Sequence, residues 1–303
     1  MNPVLKPVLK QLNELILGKE DVIVQLLTCI LAKGHVLLED MPGMGKTTLA
    51  HALAIVLGLK YQRIQFTNDM LPADLLGVSI FQPQNGEFVF HPGPVFHSFL
   101  LADEINRASP KLQSALLEAM EEGQVSIDGQ THPLPKPFLV VATQNPVEQL
   151  GTYPLPEAQL DRFMMRLSLG YPIEKAEKYL YLHGDRRFLI PKLQQVANES
   201  LLCQWQQEAA SVKIAPAAVD YVYRLVQATR ENGYFEVGLS PRAGLAILAA
   251  AKAYAWIVGR EHILPEDIKK VWVAVTAHRL QPAQADKTSI TILNGILRHV
   301  AVV

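Results

Sequence analysis

Residues 42–48 read Pro-Gly-Met-Gly-Lys-Thr-Thr, and this stretch decides the fold. It follows the apolar run His35–Leu38 and precedes the helical pattern Leu49–Ala54, so the chain passes from a strand through a glycine-rich turn into a helix. The two glycines allow consecutive backbone N–H groups to point into one concavity, where the lysine and the helix dipole add positive charge. Such a turn is suited to a polyphosphate. The residues that it supplies for binding are Pro42, Gly43, Met44, Gly45, Lys46, Thr47 and Thr48.

The match of this turn to a known phosphate-binding pattern is incomplete. Asp40 stands where the pattern G-x-x-x-x-G-K-[ST] has its first glycine, so an ordinary turn between a strand and a helix remains an alternative. A lysine at a helix N-terminus is unfavourable by a few tenths to about 1 kcal/mol unless an anion lies beside it, which favours the phosphate site. The dinucleotide fingerprint is excluded, because Thr48 stands where its third glycine or alanine belongs.

A second strand pattern ends in two carboxylates. Residues 99–104 read Phe-Leu-Leu-Ala-Asp-Glu. In a P-loop NTPase, the first acid at this place, here Asp103, holds Mg²⁺ together with the P-loop hydroxyl, here Thr47. The second acid, Glu104, is placed to orient and deprotonate the attacking water. The alternative is a solvated strand end whose acids cap the helix that follows from Ala108 onward.

A third apolar strand, Phe138–Thr143, leads into Gln144-Asn145-Pro146. An amide at a strand end can donate to a γ-phosphate oxygen and to the attacking water without changing the charge of the site, and Asn145 fits this role. The alternative is that Asn145 caps the turn that Pro146 imposes.

Four segments together resemble the AAA+ ATPases of the MoxR type, in order and spacing as well as in residues. The resemblance extends from about residue 10 to about residue 280. Two details depart from the family pattern: Met44-Gly45 replaces the usual Leu-Ala, and Asn68 stands where proline is common. Neither departure removes a phosphate or metal ligand. The four segments are residues 36–43, 101–108, 142–146 and 155–163.

The resemblance implies an α/β fold with a P-loop AAA+ core, in which a parallel sheet lies between two helical layers, followed by a C-terminal all-α lid. A chain of 303 residues is also long enough for two domains. Strand and helix patterns alternate up to residue 170, and from Glu174 onward the pattern is helical. We therefore predict domains at residues 1–170 and 171–303. The predicted lid helices are Leu201–Glu208, Ala215–Glu231, Pro241–Val258 and Pro265–His278.

The resemblance also assigns Arg162, in the segment Leu-Asp-Arg-Phe, as an arginine finger that reaches the γ-phosphate of a neighbouring subunit. A surface ion pair with Asp161 or Glu157 is the alternative. Gly18 and Lys19 match the family segment that lies near the adenine.

Arg242 follows Ser240-Pro241, a cap and first-turn pair that opens a lid helix. A cation is unfavourable at that end of a helix, and a bound γ-phosphate would compensate for it, as with the second sensor of the family. An ion pair with Glu236 is the alternative.

Two insertions are predicted to be β-hairpins, because each contains a strong turn dipeptide, Asn85-Gly86 in one and Asp128-Gly129 in the other. The resemblance implies that both hairpins face the ring axis or a substrate protein. The alternative is that they cover sheet edges.

Composition argues against several other functions. The formal net charge is −1 and no cluster of basic residues is present, so a nucleic-acid partner is not expected. Cys29 and Cys203 lie far apart in the sequence and belong to no paired motif, which is typical of proteins in a reducing compartment. Their spacing also predicts no metal site. The apolar stretch Ala243–Val258 is interrupted by Lys252 and is too short to span a membrane. Without a signal-peptide pattern, the expected location is the cytoplasm.

Together these features predict an ATPase that uses ATP and Mg²⁺ and forms a ring, expected to be a hexamer. The resemblance implies chaperone-like remodelling, assembly or cofactor insertion, and partners with von Willebrand factor A domains; the client protein is not identified. Two rivals remain open. One is a nucleic-acid motor of the same fold, and the other is a scaffold that binds nucleotide without hydrolysing it.

Overall fold

The computed structural model of the chain describes residues 1–146, 151–231, 233–284 and 287–302. Strands and helices alternate up to residue 170, as the sequence predicts. The helices of this part are α1 (Lys6–Leu15), α2 (Glu20–Leu31), α3 (Lys46–Leu57), α4 (Pro72–Leu76), α5 (Pro110–Glu122) and α6 (Glu157–Leu160). The strands are β1 (Val36–Glu39), β2 (Tyr61–Gln65), β3 (Gly77–Gln82), β4 (Glu87–Pro92), β5 (Phe99–Asp103), β6 (Gln124–Ile127), β7 (Gln130–Pro133), β8 (Leu139–Gln144) and β9 (Met165–Leu167).

Five of these strands form one parallel sheet in the order β2-β5-β8-β1-β9. In the middle of β1, Leu37 lies beside Ala142 on one side and Arg166 on the other. Because all five strands run in the same direction, the carboxyl ends of β1, β5 and β8 meet at one edge of the sheet. That edge is where the phosphate-binding turn, the acidic pair and Asn145 follow their strands.

Alternate residues of the strands point to opposite faces of the sheet, and both faces are covered. Leu37 and Val140 belong to an apolar cluster on the side of α5, whereas Leu38 and Val141 belong to the cluster on the side of α3. The predicted sheet between two helical layers is therefore confirmed. Burial on both faces explains why the central strands read as continuous apolar runs.

Both predicted hairpins are present. Strands β3 and β4 pair antiparallel around a turn that contains Asn85-Gly86, and β6 and β7 pair around Asp128-Gly129. The first hairpin begins at Gly77, because the preceding residues Pro72–Leu76 form the short helix α4. The two hairpins also contact each other, since the rings of Phe90 and His132 stack with their centroids 4.1 Å apart.

The chain beyond residue 170 is helical. The α-helices among its described residues are α7 (Glu174–His183), α8 (Glu199–Ala210), α9 (Pro216–Glu231), α10 (Pro241–Val258), α11 (Pro265–Thr276) and α12 (Ser289–His299). The four predicted lid helices correspond to α8 to α11, so the all-α C-terminal region is confirmed. Helix α7 was not among them, and Ala176 is its only buried residue.

The apolar core continues from the α/β part into the helical part. Gln206 of α8 donates to the carbonyl oxygen of Ile30 at 2.8 Å, and the backbone N–H of Asn2 donates to the carbonyl oxygen of Ile257 at 2.6 Å. The N-terminal helices therefore pack against lid helices. The domain boundary after residue 170 falls between β9 and α7 and remains a prediction. Within the described residues, no helix has both the length and the hydropathy needed to cross a membrane.

Candidate nucleotide-binding site

A cavity of about 730 Å³ opens at the carboxyl edge of the sheet. It is formed by the turn between β1 and α3, the ends of β5 and β8, and the chain that enters the helical part. The expected site residues that line it are Lys19, Pro42, Gly43, Met44, Gly45, Lys46, Thr47, Thr48, Asp103, Glu104 and Asn145. Gly18, Arg162 and Arg242 do not line it.

The turn between β1 and α3 has the backbone that the glycines predict. Gly43 and Gly45 have φ values of 84° and 91°, in the left-handed region, and Gly45 caps α3. A side chain at Gly43 would meet no other atom within 4 Å, so the backbone conformation and not crowding requires glycine there. The first N–H groups of α3 lack partners within the helix and are available to an anion.

Lys46 is the buried cation of the cavity. Its ammonium donates to Asn145 Oδ1 at 3.1 Å, to the carbonyl oxygen of Met41 at 3.1 Å, and to that of Asp40. Burial lowers the pKa of Lys46, and neighbouring carboxylates, that of Asp40 first, offset part of the decrease. The contact with Lys46 places the Asn145 side chain in the cavity, as expected of a phosphate-sensing amide.

Asp103 joins three elements. Its Oδ2 accepts from Arg63 Nη2 at 2.7 Å and from the Thr47 hydroxyl at 3.4 Å, and its Oδ1 accepts from the Thr143 hydroxyl at 2.5 Å. A hydroxyl and a carboxylate oxygen side by side suit Mg²⁺, which prefers oxygen ligands and needs few of them from protein when phosphates supply others. Among the described residues, no cluster of three or more His, Cys, Asp or Glu side chains forms a metal site elsewhere.

Glu104 follows directly in a strained conformation. Its φ and ψ are 57° and 50°, a left-handed backbone that is uncommon for a residue other than glycine. Its N–H donates to the Thr143 hydroxyl at 2.9 Å, and its carboxylate accepts from Arg107 Nη1 at 3.0 Å. The Thr143 hydroxyl thus connects Glu104 to Asp103 and fixes the relative positions of the two acids.

Asp40 does not face the phosphate-binding turn. It is buried, and its carboxylate accepts from the Ser168 hydroxyl at 2.7 Å and from the backbone N–H groups of Leu169 and Gly170 at 2.5 and 3.0 Å. An acid at the position of the first glycine is therefore compatible with phosphate binding, because its carboxylate is hydrogen-bonded to residues 168–170.

Lys19 and Gly18 shape the far end of the cavity. Lys19 lines it and donates to the carbonyl oxygen of Tyr171 at 2.6 Å. Gly18 has a φ of 69°, and a Cβ there would lie 3.0 Å from the side chain of Ile173, so glycine allows the two segments to approach. Gly18 thus shapes the wall and is not part of it.

Several lining residues were missed by the sequence-based predictions. They carry polar or aromatic groups, and all except Thr143, which lies in the segment 142–146, belong to no motif; the basic pair Arg186-Arg187 after a Gly-Asp turn is a further local signal. The missed lining residues include Arg63, Thr143, Tyr171, Glu177, Tyr181, Asp185, Arg186 and Arg187.

Arg162 and Arg242 lie together outside the cavity. Both guanidinium groups contact the carboxylate of Glu121, that of Arg242 at 2.8 Å. The suggested pairing of Arg242 with Glu236 is therefore wrong. Arg242 is also not at the cavity of its own subunit, as a second sensor in cis would be, because the N-terminus of α10 lies over the C-terminal end of α5 and not over the phosphate-binding turn.

In the described part of the chain, Arg162 forms an ion pair with neither of its suggested partners, Asp161 and Glu157, and Asp161 is engaged elsewhere. Its carboxylate accepts from Arg279 Nε at 2.6 Å. Arg162 instead donates to the carbonyl oxygen of Leu117, in addition to its contact with Glu121.

Known proteins resemble the chain over most of its length. A family model described as "ATPase family associated with various cellular activities (AAA)" matches residues 35–165, and one described as "AAA lid domain" matches residues 227–295. The uncharacterized protein YeaC of Bacillus subtilis is 45% identical over 92% of this chain and 88% of its own length. Chaperone MoxR1 of Mycobacterium tuberculosis is 43% identical over 96% of this chain and 80% of its own length. A crystal structure of a protein assigned as an ATPase from Cytophaga hutchinsonii superposes with a TM-score of 0.88 at 39% identity, covering 99% of this chain and 95% of that one.

Proposed function

Because the chain belongs to the AAA+ ATPases of the MoxR type, we propose that it hydrolyses ATP in a Mg²⁺-dependent reaction and uses the energy to remodel other proteins. One observation carries this proposal. The buried Lys46, the acids Asp103 and Glu104, and the amide of Asn145 all line one cavity beside the N-terminus of α3.

The proposed roles in substrate binding follow from position and charge. Lys46 and the first N–H groups of α3 bind the phosphates, for which Lys46 exchanges one of its present oxygen partners. Thr47 and Asp103 would hold Mg²⁺, which neutralises phosphate charge when bound. Arg63 now donates to the same Asp103 oxygen, so it has to share or leave that oxygen.

Glu104 is the proposed group that orients the attacking water and accepts its proton. For this role its carboxylate must exchange Arg107 for the water. The contact between Arg107 and Glu104 is partly exposed, and such ion pairs are weak, of the order of 0–1 kcal/mol, so the exchange is inexpensive. Asn145 donates from its amide to the γ-phosphate side of the cavity.

We also propose that the active form is a ring, with Arg162 completing the site of a neighbouring subunit. The position of Arg162 supports this, since its guanidinium is partly exposed and does not line its own cavity. The number of subunits, for which six is expected, is part of the proposal.

The remodelling role rests on relatives and on the hairpins. The relative from Mycobacterium tuberculosis, which is 43% identical over 96% of this chain, is named a chaperone. The hairpin β3–β4 carries exposed apolar side chains, including Ile80, Phe81 and Phe88, which suit contact with another protein. Partners with von Willebrand factor A domains and a role in cofactor insertion are further proposals that follow from the family resemblance.

ATP turnover tests the proposed chemistry. The wild-type protein should release phosphate from ATP only when Mg²⁺ is present. The variant Glu104→Gln should bind a fluorescent ATP analogue as the wild type does but lose turnover by at least about a hundredfold, the lower range for general base catalysis. Glu118→Gln, an exposed acid on α5, is the matched control and should retain turnover. Near-normal turnover in Glu104→Gln would contradict the proposal.

A further inference from the structure

Glu121 brings together two arginines that are far apart in the sequence. Its Oε1 accepts from Arg242 Nη2 at 2.8 Å, and its Oε2 contacts Arg162 Nη1. The side chains of Glu121, Arg162 and Arg242 are 31, 31 and 61% exposed. One carboxylate between two guanidinium groups leaves a net charge of +1 on a surface that another molecule can reach.

The position of Glu121 in α5 is unfavourable without these partners. It lies in the last turn of α5, where the helix dipole disfavours negative charge. Arg162 compensates in two ways, because Nη1 also donates to the carbonyl oxygen of Leu117 at 3.1 Å in the same region of the helix. The hydrogen bond from Arg242 lowers the pKa of Glu121, and that bond also raises the pKa of Arg242, so the contact favours the ionised form of both groups.

The contact joins two parts of the molecule. Arg162 lies between α6 and β9 in the α/β part, and Arg242 lies in the first turn of α10 in the helical part. A change in the position of α10 therefore moves Arg242, and through Glu121 it also acts on Arg162. Neither arginine lines the cavity of its own chain, so the anion that this pair is suited to meet belongs to another molecule.

We propose that Glu121 is a positioning residue that holds Arg162 and Arg242 as one cationic pair, directed at the γ-phosphate bound by the neighbouring subunit. This inference rests on the proposed function and adds to it that the second arginine serves the same neighbour. It also assigns the alignment of the pair to a carboxylate that itself touches no nucleotide.

Nucleotide affinity provides a test that does not depend on turnover. At protein concentrations where the ring is assembled, Glu121→Ala should weaken binding of a non-hydrolysable ATP analogue by the same factor as Arg162→Ala, while ADP affinity stays within about twofold. The double variant should bind no more weakly than either single variant. The control is Glu122→Gln, because Glu122 forms no ion pair among the described residues. Unchanged analogue affinity in Glu121→Ala beside a clear loss in Arg162→Ala would overturn the proposal.

Mixing experiments identify the subunit that Glu121 serves. Glu121→Ala, like Glu104→Gln, should have low turnover alone. A mixture of the two variants should regain turnover, because some interfaces join an intact Glu104 to an intact arginine pair. Glu121→Ala mixed with Arg162→Ala should regain none, because both variants damage the same side of the interface. The opposite pattern would show that Glu121 serves its own cavity. If Glu104→Gln alone turns over ATP normally, the proposed function fails instead, and the affinity test still decides the role of Glu121.

Discussion

The carboxylate of Asp40 accepts a hydrogen bond from the backbone N–H of Gly170 at 3.0 Å, although 130 residues separate them in the sequence. Asp40 ends the stretch before the phosphate-binding turn, and Gly170 begins the segment that leads from β9 to the helical part. The Lys46 ammonium also contacts the carbonyl oxygen of Asp40. Asp40 therefore links the phosphate-binding turn directly to the chain that enters the lid.

We expect Asp40→Asn to lower the free energy of unfolding by about 1–3 kcal/mol, because an amide NH₂ cannot accept from the N–H donors that the carboxylate oxygen now satisfies. Urea denaturation measures this loss. Glu39→Gln is the matched control, since Glu39 makes only a partly exposed ion pair with Arg166 and should change stability by less than about 1 kcal/mol. If Asp40→Gly tightened ATP binding, the carboxylate would have to face the phosphates, contrary to the contacts described here.

Lys46→Ala should abolish detectable ATP binding, because Lys46 is the side-chain cation that the turn directs at the β- and γ-phosphates. Equilibrium titration with a fluorescent ATP analogue measures the affinity. Lys60→Ala removes an exposed lysine just before β2 and should leave affinity unchanged. Equal affinities in the two variants would contradict the P-loop assignment.

Thr143→Val should reduce turnover at least about tenfold while nucleotide affinity stays within about twofold. The substitution keeps the shape of the side chain but removes the hydroxyl that accepts from the strained backbone of Glu104 and donates to Asp103. Steady-state kinetics separates kcat from KM. Thr28→Val is the control, because its buried hydroxyl donates to the carbonyl oxygen of Val24 within α2 and Thr28 does not line the cavity. A similar loss of turnover in both variants would indicate only general destabilisation.

Arg162→Ala and Glu104→Gln should each be inactive alone and regain partial turnover when mixed and allowed to exchange subunits. In a closed ring, about a quarter of the interfaces would join an intact Glu104 to an intact Arg162, because each interface takes one partner of each kind with even odds. Phosphate release measures the recovery, and a fluorescent label on one variant verifies exchange. No recovery after verified exchange would make Arg162 a structural ion-pair residue.

Stability should fall as the pH falls below about 6.5, the ordinary pKa of histidine in an unfolded chain. Burial holds the pKa of His278 well below that value, and its Nδ1 has no partner among the described residues. The unfolded chain therefore binds a proton that the folded chain does not. His278→Gln should reduce this pH dependence because glutamine does not titrate, while its amide can still donate to the carbonyl oxygen of Phe163. Part of the dependence should remain, because burial also lowers the pKa of His35, to about 4. The exposed His262→Gln should leave the pH profile unchanged, and an equal flattening there would contradict the assignment.

The central sheet and the residues at its carboxyl edge could be predicted because the patterns that indicate them lie within short segments of the sequence. The central strands are continuous apolar runs with polar groups at their carboxyl ends, as with Asp103 at the end of β5 and Asn145 directly after β8. Parallel strands place such groups at one edge whatever the details of packing. The hairpin turns were predictable for the same reason, since Asn-Gly and Asp-Gly impose their own backbone.

Long-range contacts could not be predicted in this way. The sequence neighbours of Asp40 do not indicate that its carboxylate accepts hydrogen bonds from Ser168 and the two N–H groups that follow it. Likewise, the sequence neighbours of Glu121 do not indicate two arginine partners. Such contacts depend on how β9 and α10 approach elements that are distant in the chain.

By itself, the sequence determined the parallel α/β core, the phosphate-binding turn, the acidic pair and the family, because these are properties of short segments and of the order in which they occur. Only the tertiary structure decided that Asp40 faces the lid segment, that Thr143 holds Glu104 in a strained backbone, and that Arg242 stands beside Arg162 instead of at its own cavity. The physical reason is that hydrogen bonds and ion pairs act over only a few ångströms. Their partners are therefore set by the packing of whole elements and not by neighbours in the chain.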